Sequence, residues 1–273
     1  MELVVVDSCS TDGTAEAVRQ STRDAPFPTR YLREDMPGLS RARNRGVSEA
    51  SGDIVAFLDD DARPLTPAWL NNLVAAFSDE RVGAAGGDIV PRWPNGEKPD
   101  WIHRRLFYFF GLTTFDATKR RSCRYPDFPW GANLAFRKKS LNRAGGFSED
   151  LGRVGLELHS GEETEACLRI QRAGQSVRYV PDAAVEHLID PGRLNLDWMR
   201  SRAGSGGSSA AVLERRHFSA AALLSRVAWR AFIMTGARLG VFVAGAAGRR
   251  RAKVFFEMEY LTARAYLSRV VRR

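Results

Sequence analysis

Along the first 190 residues, short apolar runs that end in polar clusters alternate with stretches of helical period. The β-branched run over residues 1–6 reads as a strand closed by the polar turn Asp7-Ser-Cys-Ser-Thr-Asp-Gly13, and 14–22 reads as a helix capped around Thr11 and Asp12. The same periodicities predict a helix over 39–51 ending at Gly52, a buried strand over 54–58, and a helix opened by Pro67 and running to 78. Strands follow over 82–90 and 176–181. This βαβ rhythm predicts an α/β fold on a mixed, mainly parallel sheet, with ligands at the carboxyl ends of its strands. Two acidic clusters, at Asp7 and at Asp59-Asp60-Asp61, fall at such ends.

Composition sharpens the division of the chain. Its 273 residues carry a formal charge of +9, unevenly spread. From Arg193 onward there are 16 basic and 4 acidic residues, against 25 and 28 before it. A body over 1–192 and a basic helical region over 193–273 are therefore expected. Cys9, Cys123 and Cys167 stand apart with no CxxC pair, which argues against a zinc cluster or a disulfide framework and fits a reducing cytoplasm. No basic leader precedes the first strand. The segment from Ala228 to Lys253 is apolar for about twenty residues but interrupted by Arg230 and Arg238, a pattern costly at mid-bilayer. With Arg249, Arg250 and Arg251 beside it, it reads as an interfacial or re-entrant helix on an anionic membrane surface, the alternative being an amphipathic helix packed on the core. Nucleic acid is not the expected partner, because no reader motif accompanies the charge.

Three consecutive aspartates at the end of a buried strand repel one another and call for something positive nearby. Five segments give the triplet a context: VVVDSCSTDGT, GLSRARNRG, GDIVAFLDDDARP, WGANLAFRKKSLNRAGGFSEDLG and GEETEACLRIQRAGQSVRYVPDAAVEH. In order and spacing over residues 1–190 they resemble the successive motifs of the family 2 inverting glycosyltransferases, which have the GT-A fold, a Rossmann-like nucleotide-diphospho-sugar transferase architecture. The resemblance implies an enzyme that uses Mn²⁺ or Mg²⁺ to move a sugar from a nucleotide-diphosphate donor to a hydroxyl of a saccharide or lipid-linked acceptor. Taken with the basic, apolar tail, a cytoplasmic enzyme peripheral at the inner face of the cell membrane is expected. The family's opening segment, an apolar strand and a Pro-x-Tyr/Phe-Asn-like loop, has no counterpart before Glu2, so the chain is expected to start at the second strand and to be unstable without the first.

The resemblance also assigns roles. Asp61 is expected as the direct metal ligand, Asp59 as a ligand or a contact to ribose or metal-bound water, Asp60 as an alternative for either, and His187 as completing the metal site. Asp7 would accept a hydrogen bond from the nucleobase, the plainer alternative being a turn cap shared with Ser10 and Asp12. Arg41 and Arg43, at a helix start, suit phosphate and base contacts, or else a solvated face. Inverting transfer needs one general base and no enzyme nucleophile. Glu163, second acid of the Glu162-Glu163 pair, takes that position with one methylene more than the family's aspartate, and Glu162 borders the substrate. Helix electrostatics alone would also favour these acids, and Glu165 has Arg169 within pairing reach. Trp130, Gly131 and Asn133 suggest a sugar platform, with Trp130 alternatively in the core. Gly145-Gly146 predicts a turn before a loop over 148–161 that covers the acceptor, and the segment over 93–125 is expected to choose it. A Gln-x-x-Arg-Trp motif after the base, found in processive members, is missing, which implies single additions. The rivals are a haloacid-dehalogenase-like phosphatase, disfavoured by Arg63 two places after Asp61, and a non-catalytic remnant.

Overall fold

The computed structural model describes residues 1–114, 118–153 and 158–272. Strand β1 (Leu3–Ser8) leads through α1 (Thr14–Ser21) to β2 (Thr29–Glu34), and the two pair in parallel as a sheet of their own. Helix α2 (Leu39–Glu49) then carries the chain to β3 (Ile54–Leu58) and the short β4 (Ala62–Pro64), so the three aspartates sit in the hinge between two strands. After α3 (Trp69–Val74) and a 3₁₀ turn come β5 (Val82–Arg92), β6 (Arg121–Cys123) and β7 (Asn133–Arg137). Helices α4 (Lys138–Arg143) and α5 (Glu162–Arg172) lead to the long β8 (Ser176–Leu188).

The second sheet has the order β3-β7-β5-β8-β4, with β6 also on β8. It is mixed, as expected: β1 with β2 and β5 with β8 are the parallel ladders and the two longest, whereas β7 runs antiparallel to both β3 and β5, and β4 and β6 run antiparallel to β8. Much of the antiparallel part comes from β7, which runs against the βαβ direction and lies between β3 and β5. Periodicity did not announce it, because its five residues, Asn-Leu-Ala-Phe-Arg, are buried on both faces or nearly so. Gly86 and Gly87 let β5 pass close to its neighbours: a Cβ on Gly87 would stand 1.7 Å from the Ala183 carbonyl oxygen.

Three long helices complete the chain: α6 (Leu196–His217), α7 (Ala220–Ala246) and α8 (Arg250–Val270). They are unequally attached. Met199 and Ala203 of α6 and Val254 and Met258 of α8 are buried in one cluster with Ile89 of β5, Ile102, Leu106 and Phe110. Leu213 of α6 joins a second cluster with Phe136, Phe147 and Val177. On α7, by contrast, only Ala237 and Ala244 are buried. The buried Glu214 ties the three helices, accepting hydrogen bonds from Tyr266 at 2.6 Å, Tyr125 at 2.7 Å and Arg226 at 2.9 Å.

Candidate functional site

The site is built where the β3–β4 hinge, the start of α2, the start of α5 and the end of β8 meet. Arg43, the fifth residue of α2, is only 6% exposed and reaches two acids at once: its Nη2 is 3.2 Å from Asp59 Oδ1 and its Nη1 is 2.6 Å from Glu162 Oε1. Gly131 makes room for it, since a Cβ there would lie 2.5 Å from Arg43 Nη2. Burial alone would make the guanidinium easier to deprotonate, but the charges of Asp59, Glu162 and Glu163 outweigh this and raise its pKa. One cation cannot neutralise three carboxylates. Burial first, and the Glu163 charge second, accordingly push the Glu162 pKa up to about 8 against the opposing pull of Arg43. The outer oxygens of both acids, Glu162 Oε2 and Glu163 Oε2, are buried without a hydrogen-bond partner. Gly161, with φ at 110°, turns the chain into α5 so that both acids occupy its first turn.

The second half of the site follows from strand register. Ala62 pairs with His187 across β4 and β8, and this brings the Asp61 Oδ1 within 2.9 Å of His187 Nε2. Arg193 Nη2 stands 3.4 Å from the other oxygen, Oδ2. Burial would raise the Asp61 pKa, but the His187 hydrogen bond and the charges of His187, Arg193 and Arg153 hold it below the ordinary carboxylate range. His187 is 5% exposed and its Nδ1 is buried with no partner. A carboxylate oxygen and an imidazole nitrogen in contact are the two donors here that would hold a divalent cation such as Mn²⁺ or Mg²⁺. Among the described residues no group of three acid, histidine or cysteine side chains converges on one point. Asp59, expected beside Asp61, is instead turned to Arg43.

Other expected residues lie elsewhere or are spent otherwise. Asp60 is exposed. Arg41 pairs at the surface with Glu149 at 2.6 Å. Asp7 is buried and accepts hydrogen bonds from the Ser10 amide at 2.8 Å and from the Tyr31 hydroxyl, which hold its carboxyl below the ordinary range and make it the cap of its turn. Asn133 does not present its amide to a sugar: Nδ2 donates to the carbonyls of Asp88 and Ala183 at 2.9 and 2.7 Å, and Oδ1 accepts from Trp69 Nε1 at 2.9 Å. Trp130 is half-buried against the cluster shared with α6. The turn at Gly145-Gly146 is present, with φ of 86° and 69°, and Glu165 does lie 3.6 Å from Arg169. The acceptor-loop expectation over 148–161 falls partly outside the described residues, at 154–157, and that over 93–125 at 115–117.

Sequence reasoning missed three cations. Arg153 precedes α5, Arg193 lies in the 3₁₀ turn after β8, and Arg202 sits on the inner face of α6, 7% exposed. Burial and the charge of Arg153 lower the Arg202 pKa to about 10, while Glu163 and Glu162 act against them. The one signal available was the uneven charge after residue 193, which was read as a surface.

The profile of glycosyl transferase family 2 matches residues 1–145, more than half of the chain. The chain belongs to glycosyl transferase family 2. A glucosyl-dolichyl phosphate glucuronosyltransferase of Haloferax volcanii is 27% identical over 219 residues, covering 78% of this chain and 67% of its own. A pre-mycofactocin glycosyltransferase of Mycobacterium tuberculosis is 32% identical over 223 residues, 79% of this chain and 45% of its own. Glycosyltransferase AglE of H. volcanii is 38% identical over 196 residues, 70% and 57%. The family 2 chain thus spans about half to two thirds of the length of these relatives. A mannosyltransferase of Pyrobaculum calidifontis, solved with GDP-Man and Mn²⁺, superposes with a TM-score of 0.63 at 23% identity over 97% of this chain and 77% of that one. GalNAc-T7 with UDP, GalNAc and Mn²⁺ gives 0.51 at 16% identity over 77% and 44%. These likenesses show that this family 2 chain has the GT-A fold.

Proposed function

We propose that this family 2 protein transfers a sugar from a nucleoside-diphosphate donor to a hydroxyl of a saccharide or lipid-linked acceptor, with inversion at the anomeric carbon and one sugar at a time. The observation that carries this reading is Arg43, which fastens the acids at the start of α5 to the aspartates at the strand end. It brings the helix that carries the proposed base against the strand end that carries the aspartates.

In this reading Glu163 takes the proton of the acceptor hydroxyl as that oxygen bonds to the anomeric carbon, and the bond to the diphosphate breaks in the same displacement. The buried, unpartnered Oε2 of Glu163 is the atom that receives the proton. Glu162, hydrogen-bonded to Arg43 and holding its own proton through neutrality, spares its neighbour a second adjacent negative charge. A divalent cation, Mn²⁺ or Mg²⁺, held by Asp61 and His187, would neutralise the charge of the departing nucleoside diphosphate. Two structural neighbours are complexes with Mn²⁺ and one relative is named for glucosyl-dolichyl phosphate, which supports the donor, metal and lipid-linked acceptor classes.

We also place the protein at the anionic, inner face of a membrane, through α7. By length and composition that helix is apolar enough to cross a bilayer, and only Ala237 and Ala244 of it are buried. An interfacial position is favoured because its other face is fixed to the domain by the Arg226–Glu214 ion pair and by Arg230 over the Tyr266 ring.

The decisive test of the chemistry is turnover with a panel of UDP- and GDP-sugars, with NMR of the product. Glu163→Gln keeps size and hydrogen bonding but accepts no proton, so turnover is expected to fall by about 10² to 10⁴ while donor binding survives. A product of retained configuration would refute the single-displacement mechanism.

A further inference from the structure

Two of the arginines missed by sequence reasoning are held near the acids of the site with too little to hold them. Arg202 donates from Nη1 to the Leu158 carbonyl at 3.2 Å and to Ser160 Oγ at 3.1 Å, and both partners are neutral. Its Nε is buried with no partner. Among the described residues neither Arg202 nor Arg153 has a carboxylate within ion-pair distance, although Arg153 feels the charges of Asp59, Asp61 and Glu162, and Arg202 those of Glu163 and Glu162. The two cations also act on each other. Gly152 brings the Arg153 loop against the site, where a Cβ would lie 3.2 Å from Glu162 Cδ.

Stability does not account for this arrangement. Burying a charge without an ionic partner is costly, and an apolar side chain at 202 would pack between Met199 and Ala203 without that cost. What relieves two guanidinium groups whose charges act on each other is a shared anion, and a phosphoryl group accepts several charge-assisted hydrogen bonds at once. Arg193, already 3.4 Å from Asp61, extends the cationic wall from these residues to the metal-side aspartate.

We propose that Arg153 and Arg202 form a phosphoryl-binding site between the acids of α5 and the β3–β4 aspartates, completed by α6. The proposal rests on the nucleotide-sugar transferase reading. The phosphoryl group belongs either to the donor's diphosphate or to a lipid-linked acceptor, and the geometry serves both chemistries. In either case α6 is a working part of the site and these arginines are binding residues.

The test is calorimetric titration of the whole chain, wild type, Arg153→Gln, Arg202→Met and Arg202→Lys, with UDP and GDP in the presence of Mn²⁺ and, separately, with a short-chain isoprenyl phosphate. Ligand-free melting temperatures are recorded alongside. Affinity for at least one ligand class is expected to drop by about 10- to 100-fold in Arg153→Gln and Arg202→Met, with partial recovery in Arg202→Lys. The class affected identifies the source of the phosphoryl group. The ligand-free melting temperature of Arg153→Gln should stay level or rise, since that side chain makes no hydrogen bond in the described structure; this variant keeps the proposal testable even if Arg202→Met folds poorly. Wild-type affinity for both classes in Arg153→Gln and Arg202→Lys, or a fall in melting temperature with binding unchanged, overturns the proposal in favour of a structural role. Failure of the wild-type chain itself to bind UDP or GDP would instead overturn the transferase reading on which it rests.

Discussion

At Arg43 a single guanidinium, 6% exposed, is shared by Asp59 and Glu162 within reach of the Glu163 charge, and this imbalance sets the protonation of the site. Glu162 keeps its proton up to about pH 8 in the folded chain but loses it near 4.5 when unfolded. Between those values the folded state binds more protons, so this group makes stability fall as pH rises through the window and level off above it. Glu162→Gln retains an oxygen for Arg43 and cannot titrate. Melting curves from about pH 5 to 8 are therefore expected to slope less steeply for the variant than for wild type, and equal slopes would contradict the raised pKa. At this scale the sequence was legible where chemistry is local. The acids opening α5 follow from a helix start, whereas the Asp61–His187 contact spans most of the domain and was expected only from the family resemblance. The turn cap seen at Asp7 was one of the two readings its sequence offered, whereas Asn133 was misread because its partners come from distant strands, Ala183 lying 50 residues away. The same reason hid Arg202, whose partners lie more than 40 residues earlier.

Among elements, those with a strong period were read within a few residues: β1, α2, β3, β5 and the start of β8. The short strands β4 and β6, of three residues each, and β2, whose Thr-Arg-Tyr-Leu-Arg-Glu mixes charge into the alternation, carry too little apolar pattern to be seen. Helix α6 is the instructive case, because its Gly204, Gly206 and Gly207 among serines are poor helix formers. Tertiary contact overrides propensity there: a Cβ on Gly207 would lie 2.2 Å from the Thr262 carbonyl of α8, so the glycine permits the two helices to approach. Helix α7 shows the opposite balance, an exposed row of Leu224, Trp229, Phe232, Leu239 and Phe242 beside Arg249, Arg250 and Arg251. Replacing Trp229 and Phe232 together by Glu should weaken sedimentation with anionic phospholipid vesicles at least about tenfold, because each buried aromatic contributes about 1.5–3 kcal/mol. Unchanged partition would remove α7 as the membrane contact, while equal binding to neutral vesicles would remove the role of the arginines.

In the whole molecule, the basic region that composition set apart at residue 193 packs into the same cores as the sheet through α6 and α8, and leaves α7 outermost. Charge counting separated the two parts because it ignores where an arginine points; Arg193 and Arg202 turn inward toward the acids of the site. In the proposed reading the α/β body holds the donor and the helices border the acceptor, with Arg43 joining Asp59 of the strand end to Glu162 at the start of α5 and Asp61 resting on His187. The most direct test of that layout is a calorimetric titration of UDP and GDP into wild type, Asp61→Asn and Glu163→Gln, each with Mn²⁺ and with a chelator. Binding in wild type and in Glu163→Gln should require the metal, and Asp61→Asn should lose it even with Mn²⁺ present. Equal affinity in the chelator, or in Asp61→Asn, would contradict the assignment of the strand-end aspartate to the donor's diphosphate.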